Sequence, residues 1–571
     1  MTKQNLLMTA IAIFGLATIT TAQQQLSWGT YYAGTGQVWP NGEDRGNSCI
    51  TDASGNVYMV GYTSSTSDIA TAGAHQSVHA GGTFVGGTGG YDAFLVKFNS
   101  SGVRQWATYY GGAGNDMGMY CAIDPLGNVY VLGATNSTSG IATAGAHEVT
   151  VNDGFLVKFN SSGVRQWGTY CEGIGNACSA DASGNVYITG LTTSTSGIAT
   201  AGAHQTVMSG SGDAFLVKFN SSGVKQWGTY FGGSYTLGSA MEKGLSCATD
   251  NSGNVYMVGK TPSTAGIATT GAHQTIYGGS VCDAFLVKFN SNGLMQWSTY
   301  YGGAGADIGY SCATDAFGNV YMAGDAQEES VPPSSGMTTI GAHQSTYGGG
   351  YSDAFLVKFD SNGQRQWGTY YGGSVLDVGF SCAIDASGNV YMSGVTQSNS
   401  GIATPGAHQT TVNGAFLVSF NSSGVRQSGT YFGGTKNVCT SDASGNVYMT
   451  GYTQANSGIA TPGAHQTVNG NSGYNDAFLV KFNGISVGIN ENTNENSLSV
   501  YPNPIQSVVN VKADTKLIGS DYTIYDNMGK IVLSGKIIAE ITSVEMENLS
   551  AGIYLFSIGE NLKQTFKVIK E

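Results

Sequence analysis

Seven histidines with the chemistry of metal or ligand binding recur along the chain at regular intervals. Each ends a Gly-Ala-His triplet, and they are His75, His147, His204, His273, His343, His408 and His465. Imidazole nitrogens bind metals and donate hydrogen bonds, so repeated histidines invite a metal hypothesis. Equivalent loops of a repeat lie about 10 Å apart or more, whereas zinc ligands converge to ~2.0–2.1 Å from one ion. We therefore expect each histidine to hold its own loop, with ligand contact and metal binding as the weaker alternatives.

A second recurring set is acidic. A carboxylate stands five residues before a repeated cysteine at Asp44, Asp116, Glu242, Asp307 and Asp377. Carboxylates bind Ca²⁺ and accept hydrogen bonds from sugar hydroxyls, so a ring of them at a channel mouth would form a cation or sugar site. The alternative is that each one caps a solvated turn. No motif in the sequence requires a cofactor. Calcium is the one cofactor whose binding the sequence leaves undecided.

A catalytic site is sought among residues that are not repeated, because it is a single convergence of different groups. The irregular residues are His79, Cys171, Glu172, Lys243, Cys282 and the insertion at 328–333. They fall in different repeats and form no nucleophile–base pair, carboxylate pair or metal motif. The sequence therefore predicts no catalytic residue and a protein that is not an enzyme.

Seven of the nine cysteines occupy one equivalent position in each repeat, three residues before a repeated aspartate. They are Cys49, Cys121, Cys178, Cys247, Cys312, Cys382 and Cys439. Equivalent positions about 10 Å apart are beyond the ~7 Å Cα separation that a disulfide allows. We expect small, buried, unbridged side chains near an axis. The pattern leaves open whether Cys171 or Cys282 forms a bridge.

The elements that position these residues belong to a repeat of about 65 residues. Each unit has a short Ser-Cys-Ala strand (A), an Asn-Val-Tyr-Met strand (B), an Ala-Phe-Leu-Val-Lys-Phe strand (C) and a Gln-Trp-Gly-Thr-Tyr strand (D). Asp-Ala-Ser-Gly and Asn-Ser-Ser-Gly turns join A to B and C to D. Strands alternate in direction, so these tight turns share a plain face, and the long B–C and D–A connections share an elaborated face. Ligand sites are expected on the elaborated face.

The repeat is cut in an informative place. A Trp-Gly-Thr-Tyr strand stands alone at residues 28–32, ahead of any A strand, while the last C strand, Phe478 to Phe482, has no D strand after it. In a ring the first strand completes the last sheet and no long edge remains. The fold class is therefore predicted as all-β, a seven-bladed β-propeller over residues 26–483 closed by its N-terminal strand. The repeated tryptophans are expected to pack between blades.

The two ends of the chain carry different signals. Residues 1–22 combine Lys3, an apolar stretch and Thr20-Thr21-Ala22, the pattern of a secretory signal peptide. Residues 484–497 form a polar linker, and alternating apolar residues over 498–571 predict a small β-sandwich of about seven strands. A net charge of −13 without basic clusters excludes nucleic acid as a partner. No later segment is apolar and long enough to be a transmembrane helix.

Two resemblances follow from these motifs. Residues 26–483, with Asp385-Ala386-Ser387-Gly388-Asn389-Val390-Tyr391 and its six counterparts, resemble the seven-bladed beta-propeller repeat family. That resemblance implies a propeller and supplies no catalytic residues. Residues 498–571 resemble a type IX secretion C-terminal sorting domain (type A), through Val500-Tyr501-Pro502-Asn503-Pro504 and Leu549-Ser550-Ala551-Gly552-Ile553-Tyr554. This resemblance implies that the type IX machinery is a partner, and that the propeller is secreted or attached to the bacterial outer-membrane surface.

Three classes of function agree with this sequence. The leading hypothesis is a secreted or surface-displayed binding or adhesion module for glycan, matrix or protein. A structural surface component without a specific ligand is the second. An extracellular enzyme acting on polysaccharide is the third, and it is the one least supported because no catalytic constellation is found.

Overall fold

The computed structural model describes residues 23–35, 42–81, 90–150, 152–234, 241–279, 281–327, 336–470, 473–484, 499–513, 515–526, 530–558 and 564–571. The predicted signal peptide at 1–22, the predicted linker beyond residue 484 and the insertion at 328–333 lie outside these residues. The chain divides into two compact units, Met1–Ile485 and Ser486–Glu571. Within the residues described, no helix has the length and apolar character that crossing a membrane requires.

The first unit consists of four-stranded antiparallel sheets that follow one another along the chain. They are preceded by β1 (Leu26–Tyr32). Sheet 1 comprises β2 (Asp44–Thr51), β3 (Val57–Thr63), β4 (Asp92–Phe98) and β5 (Arg104–Tyr110). Sheet 2 comprises β6 (Asp116–Ile123), β7 (Val129–Thr135), β8 (Gly154–Phe159) and β9 (Arg165–Cys171). Sheet 3 comprises β10 (Ile174–Ala180), β11 (Val186–Thr192), β12 (Asp213–Phe219) and β13 (Lys225–Phe231).

The remaining sheets of this unit repeat the same order. Sheet 4 comprises β14 (Lys243–Thr249), β15 (Val255–Thr261), β16 (Asp283–Phe289) and β17 (Met295–Tyr301). Sheet 5 comprises β18 (Asp307–Thr314), β19 (Val320–Ala326), β20 (Asp353–Phe359) and β21 (Arg365–Tyr371). Sheet 6 comprises β22 (Asp377–Ile384), β23 (Val390–Thr396), β24 (Ala415–Phe420) and β25 (Arg426–Phe432). Sheet 7 comprises β26 (Thr435–Ser441), β27 (Val447–Thr453), β28 (Asp476–Phe482) and β1.

The first strand of the chain completes the last sheet, as the cut in the repeat predicts. β1 pairs antiparallel with β28, and the register places Trp28 opposite Lys481 and Tyr32 opposite Ala477. In the other six sheets the equivalent pairing joins consecutive strands C and D through a tight turn. Sheet 7 therefore has its C and D strands from opposite ends of the repeat region, with no turn between them.

The tight turns form because their side chains replace missing backbone hydrogen bonds. Asp52 Oδ1 accepts hydrogen bonds from the backbone N–H groups of Ser54 and Asn56, both at 2.9 Å. Gly55 takes a positive φ of 74°, which other residues resist. The repeated Asp-x-x-Gly-Asn motif is thus a turn whose aspartate is already occupied by its own loop.

Neighbouring sheets pack face to face through apolar side chains. One cluster joins Met59 and Val96 of sheet 1 to Tyr32, Tyr448 and Leu479 of sheet 7. All five of these side chains are 0–1% exposed. Strands with both faces buried explain the continuous apolar reading of strands B and C.

The repeated tryptophans form a latch between neighbouring sheets. Trp106 Nε1 and Lys97 Nζ of sheet 1 both donate to the carbonyl oxygen of Ser161 in the C–D turn of sheet 2, at 3.1 and 3.4 Å. Gly163 of that turn lies on the indole, since a Cβ there would come within 2.9 Å of the ring. The same latch recurs at Trp28–Ser100, Trp167–Ser221, Trp227–Ser291, Trp297–Ser361 and Trp367–Ser422. The prediction that these tryptophans pack between sheets is confirmed.

The second unit is a small pair of β-sheets. A three-stranded sheet contains β29 (Ser499–Tyr501), β30 (Val508–Lys512) and β33 (Ile541–Glu545), and a four-stranded sheet contains β31 (Asp521–Tyr525), β32 (Ile531–Lys536), β34 (Gly552–Ile558) and β35 (Gln564–Lys570). A 3₁₀ helix spans Thr515–Leu517. Val509, Ile524 and Phe556 are 0% exposed in the shared core. The alternation of apolar residues predicted this architecture.

Candidate functional site

The repeated histidines do not converge on a common point. Each lies against a phenylalanine at the end of strand C in the next sheet, with ring centroids 5.6–5.9 Å apart, in the pairs His75–Phe159, His147–Phe219, His204–Phe289, His273–Phe359, His343–Phe420, His408–Phe482 and His465–Phe98. Partial burial, with the nearby Arg365, lowers the pKa of His273 to about 4. These contacts join each histidine to the following sheet, so the expectation that it fixes its own loop stays a prediction, as does a role in ligand contact.

The predicted carboxylates are buried rather than solvated. Asp44, Asp116, Asp307 and Asp377 are 0% exposed, and Glu242 is 2% exposed. Asp116 accepts hydrogen bonds from Thr135 Oγ1 at 2.5 Å, Ser137 Oγ at 2.7 Å and the Gly112 N–H at 2.8 Å. Asp116 therefore ties the D–A connection to the start of the B–C connection, and Asp44, Glu242 and Asp377 accept an equivalent serine hydrogen bond. These carboxylates are not among the residues that line the axial cavity described below, and their role in ligand binding stays a prediction.

The structure adds a second set of buried acids that the sequence reasoning missed. These residues open strand C, and they are Asp92, Asp213, Asp283, Asp353 and Asp476, all 0% exposed. Asp92 Oδ2 accepts hydrogen bonds from Gln76 Nε2 and the Ala80 N–H, both at 2.8 Å. Burial raises the pKa of Asp92 and of Asp283 to about 6. The signal was present as the recurring Asp-Ala-Phe-Leu-Val, in which an acid directly precedes an apolar strand.

A cavity, called the axial cavity here, lies where the A strands of all seven sheets meet. It has a volume of about 940 Å³ and is lined by segments that include Asn47–Thr51, Tyr120–Ile123, Ala177–Ala180, Leu245–Thr249, Tyr310–Thr314, Phe380–Ile384 and Val438–Ser441. The seven repeated cysteines lie among these residues. All nine cysteines are buried and unbridged. The expectation of small thiols near an axis is confirmed, and Cys171 and Cys282 form no bridge.

Aromatic residues that occur in only some of the sheets give the axial cavity an asymmetric wall. Tyr310 and Phe380 meet edge to face with ring centroids 5.1 Å apart. Tyr120 and Tyr452 also line the cavity, and the Arg45 guanidinium lies 4.4 Å from the centre of the Tyr452 ring. No Asp, Glu, Lys, Arg or His side chain is among the residues that line the described cavity. Such a wall suits a neutral ligand with apolar ring faces and hydroxyl groups.

One buried acid beside this wall belongs to neither repeated set. Asp325 in β19 is 4% exposed, and burial raises its pKa to about 7. Its Oδ1 has no hydrogen-bond partner among the residues described. The charge of Asp325, together with the stronger effect of burial, raises the pKa of Tyr310. The sequence signal was an aspartate inside an otherwise apolar B strand, which a search for repeated residues passes over.

Metal-binding groups are scarce in the part of the chain that the structure describes. No set of three or more His, Cys, Asp or Glu side chains there has the geometry to hold a metal ion. The non-repeated residues Cys171 and Glu172 line a cavity of about 20 Å³ together with His147 and Lys225. Burial raises the pKa of the Cys171 thiol to about 12, which disfavours the thiolate that a nucleophile needs.

Comparison with known proteins identifies the two regions separately. Residues 105–140 and 296–329 match the model of the beta-propeller repeat. Residues 499–571 match the model of the secretion system C-terminal sorting domain. An uncharacterized WD repeat-containing protein of Acanthamoeba polyphaga mimivirus is 21% identical, over 53% of this chain and 26% of the relative. The chain thus spans about a quarter of the length of that curated relative.

Solved structures give only distant likenesses. A protein of unknown function from Bacteroides caccae is 10% identical, covers 59% of this chain and 89% of its own, and has a TM-score of 0.30. PorZ, a bacterial surface component of the type IX secretion system of Porphyromonas gingivalis, is 11% identical with coverage of 92% and 74% and a TM-score of 0.29. BamB from Moraxella catarrhalis is 11% identical with coverage of 86% and 97% and a TM-score of 0.28. These likenesses are too weak to carry a functional argument.

The two family matches agree with the two architectures, since the repeats fall within the four-stranded sheets and the sorting domain coincides with the small β-unit. A sorting domain of this kind directs a protein out of the cell. The chain is therefore an exported protein of the cell surface or extracellular space that combines beta-propeller repeats with a type IX secretion C-terminal sorting domain.

Proposed function

We propose that residues 26–483 form a closed seven-bladed β-propeller that binds a neutral extracellular ligand, a sugar chain above all, in its axial cavity. Residues 1–22 then serve as the secretion signal, 484–497 as a linker and 498–571 as the domain that the type IX machinery handles. The protein acts as a binding or adhesion module outside the cell.

Ring closure is supported by contacts between sheets 7 and 1 that match those at other junctions. Trp28 Nε1 and Lys481 Nζ of sheet 7 donate to the Ser100 carbonyl of sheet 1, at 3.0 and 3.2 Å. His465 of sheet 7 lies 5.9 Å from Phe98 of sheet 1, between ring centroids. Thr51 Oγ1 also donates to the Ser441 carbonyl at 2.8 Å, which joins the two A strands.

The observation that carries the binding proposal is the asymmetry of the axial wall. A purely structural ring would need only small repeated residues at its axis. Here Tyr120 stands where the other sheets have serine, alanine or valine. Tyr310 and Phe380 stand at one repeat position of sheets 5 and 6 where the other sheets have asparagine, methionine or leucine, in a cavity of about 940 Å³. That volume falls within the ~300–1,000 Å³ of small-molecule sites, and aromatic faces bind sugar rings well.

A glycan array with the purified full chain tests this proposal. We expect Tyr310→Ala and Phe380→Ala to reduce binding of the recognised glycan about tenfold or more, the effect of losing an aromatic anchor. Tyr474→Ala, an exposed residue outside the axial cavity, is the matched control and should bind as the original chain does. Absence of binding to any glycan, together with unchanged cell attachment after deletion of the repeat region, would instead favour a structural surface component.

An enzyme acting on extracellular polysaccharide is the second candidate, and Asp325 is the observation that favours it. A buried carboxyl with a pKa of about 7 has the property of a general acid or base. Turnover of a polysaccharide that Asp325→Asn abolishes, with binding retained, would support this function.

A further inference from the structure

Every A strand carries a β-bulge at the same place. Against strand B the register shifts by one residue in each of the seven pairings, for example between Gly309 and Ser311. A bulge leaves one residue out of the ladder and re-aims its side chain, and bulges are frequent beside functional sites. The residues left out of the ladder in sheets 1 to 6, called the bulge residues below, are Asn47, Met119, Asn176, Leu245, Tyr310 and Phe380.

The positions around a bulge residue are fixed by packing. A glycine precedes it in all six sheets, and a Cβ on Gly46 or Gly244 would lie 2.3 or 2.1 Å from a threonine hydroxyl of a neighbouring sheet. The repeated cysteine stands two residues after it and is buried in every one of these sheets. The bulge residue itself is asparagine, methionine, leucine, tyrosine or phenylalanine. The backbone thus holds this position constant while its side chain differs from sheet to sheet.

Two of the bulge residues join the A strands of neighbouring sheets. Asn47 Nδ2 donates to the Gly118 carbonyl at 2.8 Å, and Asn176 Nδ2 donates to the Gly244 carbonyl at 3.0 Å. In both cases the acceptor lies in strand A of the next sheet and directly precedes the bulge residue of that sheet. Asparagine is therefore sufficient for the structural task of joining A strands, and its amide oxygen is in addition an acceptor for hydroxyl groups.

Three consecutive sheets have a different side chain at this position. Leu245 and Phe380 have no group that donates a hydrogen bond, and the ring of Tyr310 lies against that of Phe380 with centroids 5.1 Å apart. All three side chains are only partly buried, and all three residues line the axial cavity. An apolar side chain that stays partly exposed contributes less to stability than a buried one. This wall is therefore better explained by a ligand with a matching apolar face than by the stability of the fold.

We propose that the bulge residues determine which sugar the axial cavity accepts, an inference that rests on the proposed binding of a sugar chain there. The wall of Leu245, Tyr310 and Phe380 packs against the face of a pyranose ring, while Asn47 accepts a hydrogen bond from a hydroxyl at the ring edge. A sugar ring packs flat against such a wall only where its axial positions carry hydrogen, so its hydroxyls are equatorial. The ligand class is a β-1,4-linked chain of glucose type. A mannose-type chain is disfavoured because its 2-hydroxyl is axial.

The test uses the purified full chain and two probes, cellohexaose and β-1,4-mannohexaose, whose affinities are measured by calorimetric titration. We expect the original chain to bind cellohexaose about tenfold more tightly, because the axial hydroxyl of mannose would be buried without a partner. The Tyr310→Asn, Phe380→Asn variant, which introduces the residue of sheets 1 and 3, should bring the two affinities to within about twofold of each other.

A matched control lies in the same strand as Tyr310. Ile308 is paired with Asp325 in the ladder and is not among the residues that line the axial cavity. Ile308→Met introduces the residue that sheet 2 has at this position, and it should leave the ratio of the two affinities as it is in the original chain. The ratio is the decisive readout because a merely structural role of the bulge residues would weaken the binding of both probes alike.

Three results would overturn this inference while leaving the proposed binding of glycans in place. They are binding of other glycans without cellohexaose, equal affinity of the original chain for the two probes, and an unchanged ratio in the Tyr310→Asn, Phe380→Asn variant. Binding of no glycan on the array would remove the proposed function itself and this inference with it. If the double variant fails to fold, Tyr310→Leu, Phe380→Leu, which introduces the residue of sheet 4, replaces it, and the same change in the ratio is required.

Discussion

At the scale of single residues, hydrogen-bond partners rather than residue type decide what an aspartate does here. Burial raises the pKa of Asp52, but hydrogen bonds from Asn56 and the charge of Lys97 outweigh it and bring the pKa below its usual value. For Asp325 burial outweighs its backbone hydrogen bond, the charge of Lys260 and the Ser352 hydroxyl, and raises the pKa to about 7. The first acid is fixed as a charged turn residue, and the second is poised to gain or lose a proton near neutral pH.

This difference gives a prediction for Asp325→Asn. A carboxyl whose pKa is raised on folding destabilises the folded state above that pKa, and the penalty disappears as the pH falls below the unfolded value near 4. The variant should therefore be more stable than the original chain at pH 8, on the order of 2–4 kcal/mol. The gain should shrink as the pH falls from 8 through 7 toward 4. Urea unfolding at several pH values measures it.

Asp52→Asn serves as the opposite control. Because the pKa of Asp52 is lowered on folding, its charged form stabilises the folded state at pH 7. The asparagine variant should be less stable at pH 7 and approach the original chain at low pH. Equal responses of the two variants would contradict the assignment of opposite pKa shifts.

At the scale of elements, the latch explains why the sixth repeat lacks the lysine and tryptophan of the other repeats. Sheet 6 has Ser419 and Ser428 where the other sheets have lysine and tryptophan, and these serines hydrogen-bond to each other at 2.8 Å. The next sheet is sheet 7, whose C and D strands come from opposite ends of the repeat region and have no turn to receive the latch. Gln24 takes that place, accepting from Ser428 Oγ at 3.0 Å. The replacement of lysine and tryptophan by serine is thus one consequence of where the repeat is cut.

Residues 367 and 428 occupy equivalent positions of strand D, and the latch predicts that exchanging tryptophan and serine there changes stability unequally. Trp367 is 9% exposed, and Trp367→Ser removes its contact with Gly424 and its bond to the Ser422 carbonyl. We expect a loss of about 3–5 kcal/mol in the free energy of unfolding. The reciprocal change, Ser428→Trp, should not increase the free energy of unfolding, because sheet 7 has no C–D turn to face residue 428. Denaturant unfolding measures both, and a stabilising Ser428→Trp would contradict the latch.

The regular elements could be predicted from the sequence, and the site could not. The alternation in strand C and the Asp-x-x-Gly turns predict the strands and their faces, because local patterns encode local structure. The isolated strand around Trp28 and the missing D strand after Phe482 predict the pairing of β1 with β28. Tyr310 and Asp325 lie on neighbouring strands of sheet 5, whereas Phe380 belongs to sheet 6 and meets Tyr310 only through the packing of two sheets.

At the scale of the whole molecule, the proposed ring should tolerate a new cut. A circular permutant that joins Asn483 to Gln25 through an Asn-Ser-Ser-Gly turn and opens the chain at another C–D turn restores the missing turn in sheet 7. In that background Ser419→Lys with Ser428→Trp should become stabilising, because the latch then has its acceptor. Thermal unfolding of the permutant with and without the two changes measures this. The absence of such a gain would contradict the latch, and a permutant that fails to fold would contradict the ring.

The antiparallel pairing of β1 with β28 also sets how the molecule responds to mechanical force. Leu26 at the start of β1 lies opposite Phe482 at the end of β28, and the Asn483 N–H donates to the Gln25 carbonyl at 2.9 Å. Tension applied to the two chain ends of the repeat region would load these hydrogen bonds one after another, as in a zipper. An exported protein pulled by flow would yield first at sheet 7, where β1 can peel away while the six covalently continuous sheets stay folded.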